Sequence, residues 1–165
     1  MANLITVTQV KSLTQLSVNV ADDRLSPFID VAERRYIKEQ ICSTYYDELV
    51  SENGSSTLTA ANETIYDKLK YAAAYFIIYE ALPTLRNQAG NLGVMQMSFD
   101  NGEQSDFRDY KSLRSWCKDQ GEWHLKDAVD YICDTRNNSN YTTFNNCDSR
   151  DYDSNHTNTH HGIIF

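Results

Sequence analysis

Two prolines, six glycines, no long apolar run and few basic residues define this 165-residue chain by what it has little of. No P-loop, GxGxxG, HExxH or GxSxG occurs in it. The common phosphate-binding, zinc-protease and serine-hydrolase mechanisms are therefore excluded as readings of the sequence, and no enzymatic activity is expected. Lys and Arg number 15 against 23 Asp and Glu, a net charge of −8, which disfavours any mechanism that works by neutralising phosphates. Sequence-specific nucleic-acid binding is not expected. The most apolar stretch, residues 71–82, is twelve residues long and contains Glu80, whereas a membrane helix needs about 20 apolar residues. It reads as a core helix, and no membrane association is expected. The N-terminal Met1-Ala2-Asn3-Leu4-Ile5 has no basic flank and no apolar core of signal-peptide length, so the protein is expected to stay where it is made. Cys42, Cys117, Cys133 and Cys147 show no CxxC spacing and read as free, mostly buried thiols. Asn-x-Ser/Thr acceptors begin at Asn53, Asn62, Asn137, Asn140 and Asn155, but a chain rich in these residues produces them by chance.

What is present is helical periodicity. Thr6 and Gln9 have capping-box spacing ahead of Val10 and Leu13, predicting a helix over 6–14. Asp22 or Asp23 is a candidate cap for a second helix carrying Leu25, Phe28, Ile29, Ala32 and Tyr36, with Pro27 tolerated in its first turn. The pattern breaks near Cys42. Ser43 is the candidate cap of a short helix with Tyr46, Leu49 and Val50, and residues 51–57 read as a loop. Thr59 opens a third long helix, with Ile65, Leu69, Ala72, Phe76 and Tyr79 on one face and apolar residues all round its middle, which makes it central. Pro83 is expected to kink or end it. From Gly90 to Gly102 the alternation of Met95, Met97 and Phe99 with polar residues predicts a short hairpin or extended loop. A last helix from Ser105 to about Thr135 carries Phe107, Tyr110, Leu113, Cys117, His124, Ala128 and Ile132, with Gly121 as its weak point at up to about 1 kcal/mol relative to Ala. The expected fold class is all-α: a small bundle of four to five helices in residues 1–135, with one extended loop or hairpin and a long polar C-terminal arm at 136–165. No βαβ alternation and no solenoid repeat is visible.

Candidate chemistry is sparse. Asp151, Asp153, Asn155 and Thr157 alternate like calcium ligands, but His156 stands where the loop needs Gly, and Gly162 where it needs the bidentate Glu. His156, His160 and His161 with Cys147 are zinc-type ligands at no familiar spacing. Cys117 and His124, seven apart on one helix, are separated by about 10 Å of rise, too far for a nucleophile–base pair. Both read as core. No metal and no cofactor is expected. The 11 tyrosines read as packing and subunit contact rather than as a ligand cage. The arm at 136–165 holds seven Asn and three His and no Leu, Val or Ala, then closes on Ile163, Ile164 and Phe165. It reads either as an unstructured terminus or as a docking peptide whose partner-binding anchor is that apolar tripeptide.

The order of elements resembles a known family. Ile5-Thr6-Val7-Thr8-Gln9-Val10-Lys11, then Asn19-Val20-Ala21-Asp22-Asp23 with Pro27-Phe28-Ile29, then Tyr36-Ile37-Lys38 and Tyr46-Asp47-Glu48-Leu49, look like the head-to-tail connector proteins of tailed bacteriophages. The flavour resembles the neck-ring or adaptor proteins of phages infecting gut Bacteroidetes, including the crAss-like group. Residues 71–83 followed by Asn91-Leu92-Gly93-Val94 are similar to that family's buried helix and Gly-Val loop. The resemblance covers residues 4–135 and departs from the pattern at Cys42, where a Gly is expected between helices. It implies a structural virion protein that forms a homo-oligomeric ring, commonly of twelve copies, at the portal vertex. Such a ring joins head to tail and carries the DNA channel onward, with the portal protein and adjacent neck or tail proteins as partners. The loop Val94, Met95, Met97, Phe99, Asp100 and Glu103 is then expected to face the channel or the next ring. The alternative is a small helical enzyme or regulatory binding module with a flexible tail.

Overall fold

A computed structural model of the chain describes residues 3–14, 20–90, 93–96, 107–134, 141 and 144, with 86–90, 93–96 and 107–109 described as backbone. The described chain is an all-α bundle. It comprises α1 (Val7–Leu13), a 3-10 turn (Asp22–Arg24), α2 (Ser26–Ala32), a π-helical turn (Glu33–Lys38), α3 (Glu39–Ile41), α4 (Ser43–Ser55), α5 (Ala60–Arg86) and α6 (Phe107–Cys133). Strands β1 (Asn87–Gly90) and β2 (Gly93–Gln96) pair antiparallel between the two long helices, Gly90 opposite Gly93. The expected hairpin thus starts earlier than its alternation suggests. The most extensive packing is between α5 and α6, and α1, α2 and the π turn also pack on α5.

The capping box at α1 forms as its sequence dictates: Gln9 N–H donates to Thr6 Oγ1 at 3.3 Å, and Thr6 N–H to Gln9 Oε1 at 2.8 Å. Gln9 Nε2 then reaches Tyr66 Oη at 2.8 Å, fastening α1 to α5. Neither Asp22 nor Asp23 caps α2, whose start has no side-chain cap. Those residues form the 3-10 turn instead, and Asp22 pairs with Lys11 at 2.6 Å.

The stripe expected over α2 holds for Leu25, Ile29 and Ala32 and then shifts by one residue. Glu33 is buried four residues after Ile29, and because a π turn adds a residue to each hydrogen-bonded ring, the next inward positions become Ile37 and Ile41 instead of Tyr36. Tyr36 lies half-buried, stacked on Phe76 at 4.3 Å between centroids and 12° between planes. Glu33 is fully buried. Its carboxylate accepts hydrogen bonds from Leu4 N–H at 2.9 Å, Ile5 N–H at 3.0 Å and Tyr46 Oη at 2.6 Å. The carbonyl of Leu4 accepts from Asn53 Nδ2 at 3.0 Å, so the chain's entry into the domain is held on both sides of one residue.

Cys42 joins α3 to α4 at φ 71° and ψ 146°, a conformation open mainly to glycine, where the helical pattern breaks as expected. Its sulfur is disulfide-bonded, correcting the expectation of four free thiols. The partner lies outside the described residues, and Cys117 and Cys133 are free. Ser43 is the first residue of α4 and not its cap. The loop expected at 51–57 is in fact helical as far as Ser55. Tertiary bonds override local preference here, as Glu52 Oε2 accepts from Asn62 Nδ2 at 2.9 Å and from Thr59 N–H at 3.2 Å while Asn53 holds Leu4. Ser56, left-handed at φ 56°, then closes the helix. Asn62, one of the Asn-x-Ser/Thr acceptors, is buried and also accepts from Tyr45 Oη at 3.0 Å.

Thr59 caps α5 through Asn62 N–H at 3.3 Å, and the helix runs through Pro83 for three more residues. A proline at 83 removes the N–H that would bond the carbonyl of Tyr79. Arg114 of α6 takes its place, with Nε 3.5 Å from that carbonyl and its guanidinium 4.2 Å from the Tyr79 ring centroid. Gly121 is buried, and a Cβ built there would stand 2.9 Å from the Phe76 ring. The weak point of α6 is what lets α5 approach it. Within the segment expected to be an arm, Tyr141 is buried with its hydroxyl donating to Ala61 C=O at 3.1 Å, and Phe144 packs on Tyr45. The packed domain therefore includes these two residues.

Two outcomes are expected. Burial pushes the Glu33 carboxyl above the usual carboxylate value, against the hydrogen bonds from Tyr46, Leu4 and Ile5 that pull it down. A raised folded-state pKa means that the folded chain holds more protons than the unfolded one above about 4.5, so this group's contribution to stability rises as pH falls through that window. Glu33→Gln should flatten that part of the stability–pH curve. Glu33→Ala should cost about 3 kcal/mol or more, because two N–H groups and a hydroxyl lose their acceptor, and denaturant unfolding of both variants measures this. At the other seam, Phe76→Ala should cost about 3–5 kcal/mol. Gly121→Ala should also destabilise, despite alanine's higher helix propensity, but not in the Phe76→Ala background. Additive losses in the double variant would contradict the contact.

Candidate interaction surface

One face of the bundle carries aromatic side chains that the core does not use. Trp116 and Trp123 are seven residues apart on α6, so they stand on the same side of it, with Leu113 three residues before Trp116. Tyr71 and Tyr75, four apart on α5, adjoin them. Their rings are in contact: Tyr75 meets Trp116 edge-on at 5.4 Å, Tyr71 and Tyr75 stack on His124 at 5.2 and 5.8 Å, and Trp123 meets His124 edge-on at 4.7 Å. Trp123 remains 62% exposed, Trp116 and Leu113 47% each. An aromatic cluster of this extent left in water has the chemistry of a contact surface and is the candidate site on this molecule, because Trp and Tyr bring large rigid contact area at little entropic cost.

Leu113 and His124 were expected on the core stripe of α6, and the structure corrects both. Their side of the helix diverges from the buried line of Cys117, Gly121, Leu125, Ala128, Val129 and Ile132, which faces α5. Sequence reasoning took the tyrosines for packing and subunit contact but missed Trp116 and Trp123, although the seven-residue tryptophan spacing was a usable signal. Cys117 is buried and its thiol is pushed up to about 11 by desolvation, which leaves it an inert core group.

Two concavities lie elsewhere. A groove of about 310 Å³ between the π turn and α6 is lined by Tyr36, Phe76, Leu125 and Val129, with Arg35 and Lys126 at its edge. Arg35 pairs there with Glu80 at 3.1 Å, and Tyr36 Oη donates to the same carboxylate at 2.5 Å. A wider one of about 650 Å³ is lined by Asp30, Arg34, Lys38, Tyr46 and Asp47, and its charges are matched, with Arg34–Asp30 at 2.9 Å and Lys38–Asp47 at 2.7 Å. Among the described residues no buried side-chain nitrogen or oxygen lacks a hydrogen-bond partner, and no three His, Cys, Asp or Glu gather as a metal site. No described helix is long and apolar enough to cross a membrane.

Of the site residues expected from sequence, Val94 and Met95 lie in β2. Met97, Phe99, Asp100, Glu103, Ile163, Ile164 and Phe165 lie outside the described residues, as do Cys147, Asp151, Asp153, Asn155, His156, Thr157, His160 and His161.

Burial between the tyrosines holds the His124 pKa below 6.5, Asp127 opposing and Lys68 reinforcing the shift. A base whose folded-state pKa is depressed contributes stability that is complete above 6.5 and is lost as pH falls through the lowered value. The His124 ring should therefore titrate below 6.5 in an NMR pH series, with the Tyr71 and Tyr75 ring signals moving at the same midpoint. A midpoint at or above 6.5 would contradict the stacked placement.

No curated protein and no solved structure matches the chain. Residues 36–154 match the family described as "Family of unknown function (DUF6712)", and since that match spans more than half of the sequence, the chain belongs to this family.

Proposed function

We propose that this chain is a structural virion protein that forms a ring at the portal vertex of a tailed bacteriophage, joining head to tail and continuing the DNA channel. The observation that carries the reading is the exposed aromatic face of α5 and α6, a surface suited to protein contact on a bundle in which, among the described residues, every buried side-chain polar atom is engaged. A connector needs such a surface and no catalytic centre. The resemblance over residues 4–135 supplies the context. In this reading the ring has twelve copies, is made in the host cytoplasm and resides in the virion, with the portal protein and adjacent neck or tail proteins as neighbours. It binds no membrane, cofactor or specific nucleic-acid sequence. The net charge of −8 suits a channel along which DNA must pass without sticking. The hairpin side of the molecule, including Val94 and Met95, faces the channel or the next ring, and Ile163, Ile164 and Phe165 anchor the arm on a neighbouring protein.

Sedimentation of the full chain should give a closed multiple of 19.0 kDa. Quantitative mass spectrometry of purified particles should find it in a fixed ratio to the portal protein. A chain that stays monomeric at every concentration and is missing from particles would end this reading.

A further inference from the structure

We propose that the aromatic face of α5 and α6 is one half of a heterologous contact between copies of this chain, and that Val31, Arg34 and Arg35 on the outer side of α2 and the π turn form the other half. This names the subunit contact of the ring proposed above and rests on that reading.

Among the described residues, five large apolar side chains are exposed. Four of them, Tyr71, Leu113, Trp116 and Trp123, gather on the aromatic face. The fifth, Val31, stands apart on α2. Arg34 and Arg35 follow Val31 at three and four residues and share its side. Although they pair with Asp30 and Glu80, their side chains remain 51% and 62% exposed. The two patches lie on opposite flanks of α5. Tyr71, which stacks on His124, and Glu80, which holds Arg35, are nine residues apart, or two and a half turns, and so point in opposite directions. A contact joining two different faces repeats from copy to copy and closes into a ring at a suitable rotation.

Chemistry favours this pairing over the aromatic face meeting itself. Asp119 and Asp130 are exposed on α6, three residues after Trp116 and seven after Trp123, so carboxylates flank the tryptophans. Face-to-face self-pairing would gather both copies' Asp119 and Asp130 in one interface, with the exposed Lys126 of each copy as the basic residue beside Trp123, on a chain already at −8. Arg34 and Arg35 instead offer guanidinium groups to acidic neighbours and to tryptophan rings, the best cation–π acceptors, while Val31 offers an apolar centre. Trp and Arg are also the residues that dominate protein interfaces.

The test uses the full chain and variants at exposed positions, with circular dichroism and melting checks that each is folded. Trp123→Ala disables one face. Arg34→Glu with Arg35→Glu disables the other, and Val31→Asp does so while leaving both ion pairs in place. Each variant alone should associate at least about tenfold more weakly than the wild type by sedimentation. An equimolar mixture of Trp123→Ala with either α2-side variant should form a two-copy species and nothing larger, since one live face of each kind remains. Wild-type-like assembly by folded variants would overturn the contact and leave the ring standing. A mixture that stays monomeric, or loss of association on the aromatic side only, would overturn it too. A photo-cross-linker at position 123 that captures a different virion protein in particles would overturn the contact while supporting the virion reading. A wild type that is monomeric and absent from particles would remove both.

Discussion

A buried carboxylate governs the N-terminal half of this domain. Glu33 brings together the entering chain at Leu4 and Ile5, the π turn that carries it, and Tyr46 of α4. A carboxylate out of water is tolerated only when its lone pairs are used, and here three donors supply them. Leu4 is itself held from the other side by Asn53 of α4. Glu33 lies four residues after Ile29 and eight after Leu25, on the side an ordinary helix already buries, and the π turn that begins there brings Ile37 rather than Tyr36 fully inward.

The seam between α5 and α6 depends on a different kind of fit. Gly121 admits the Phe76 ring, and Phe76 in turn carries the stacked Tyr36, whose hydroxyl and neighbouring Arg35 meet Glu80. One missing Cβ on α6 is thereby linked to the position of the π turn across the groove that the two share. Near the other end of α5, Arg114 compensates the bond that Pro83 removes. This explains why a proline expected to stop the helix is followed by one more turn of it.

The legible parts of the sequence were those set by local chemistry or by long periodicity. The capping box of α1, the Thr59 cap, the buried middle of α5 and the span of α6 are of this kind. The break in the helical pattern at Cys42 was legible, and the residue there proves to have positive φ. What escaped was decided by partners remote in sequence. Residues 51–55 look like loop because Ser, Asn and Gly dominate them, yet bonds from Glu52 and Asn53 to Thr59, Asn62 and Leu4 keep them helical. Leu113 and His124 fitted a 3.6-residue stripe, but a two-helix seam buries only the narrower line through Gly121. Tyr141 shows the reverse error, for in a segment too polar for a core of its own a single aromatic can still complete another's.

Core and surface are joined at the π turn. With regular helical spacing, Arg35 would lie three residues from Ala32 and seven from Phe28, on the edge of the buried stripe. The π turn that brings Ile37 inward rotates Arg35 outward, where it keeps most of its side chain in solvent even while bound to Glu80. The register of the π turn thus also sets the direction of Arg35. On the opposite flank of α5, His124 fills the space between Tyr71 and Tyr75 and props them as a continuous platform with Trp116 and Trp123. Both patches are held by rigid helices rather than by loops, so their relative orientation is fixed before any partner arrives. A contact built from them would be preorganised and would lose little conformational entropy on forming.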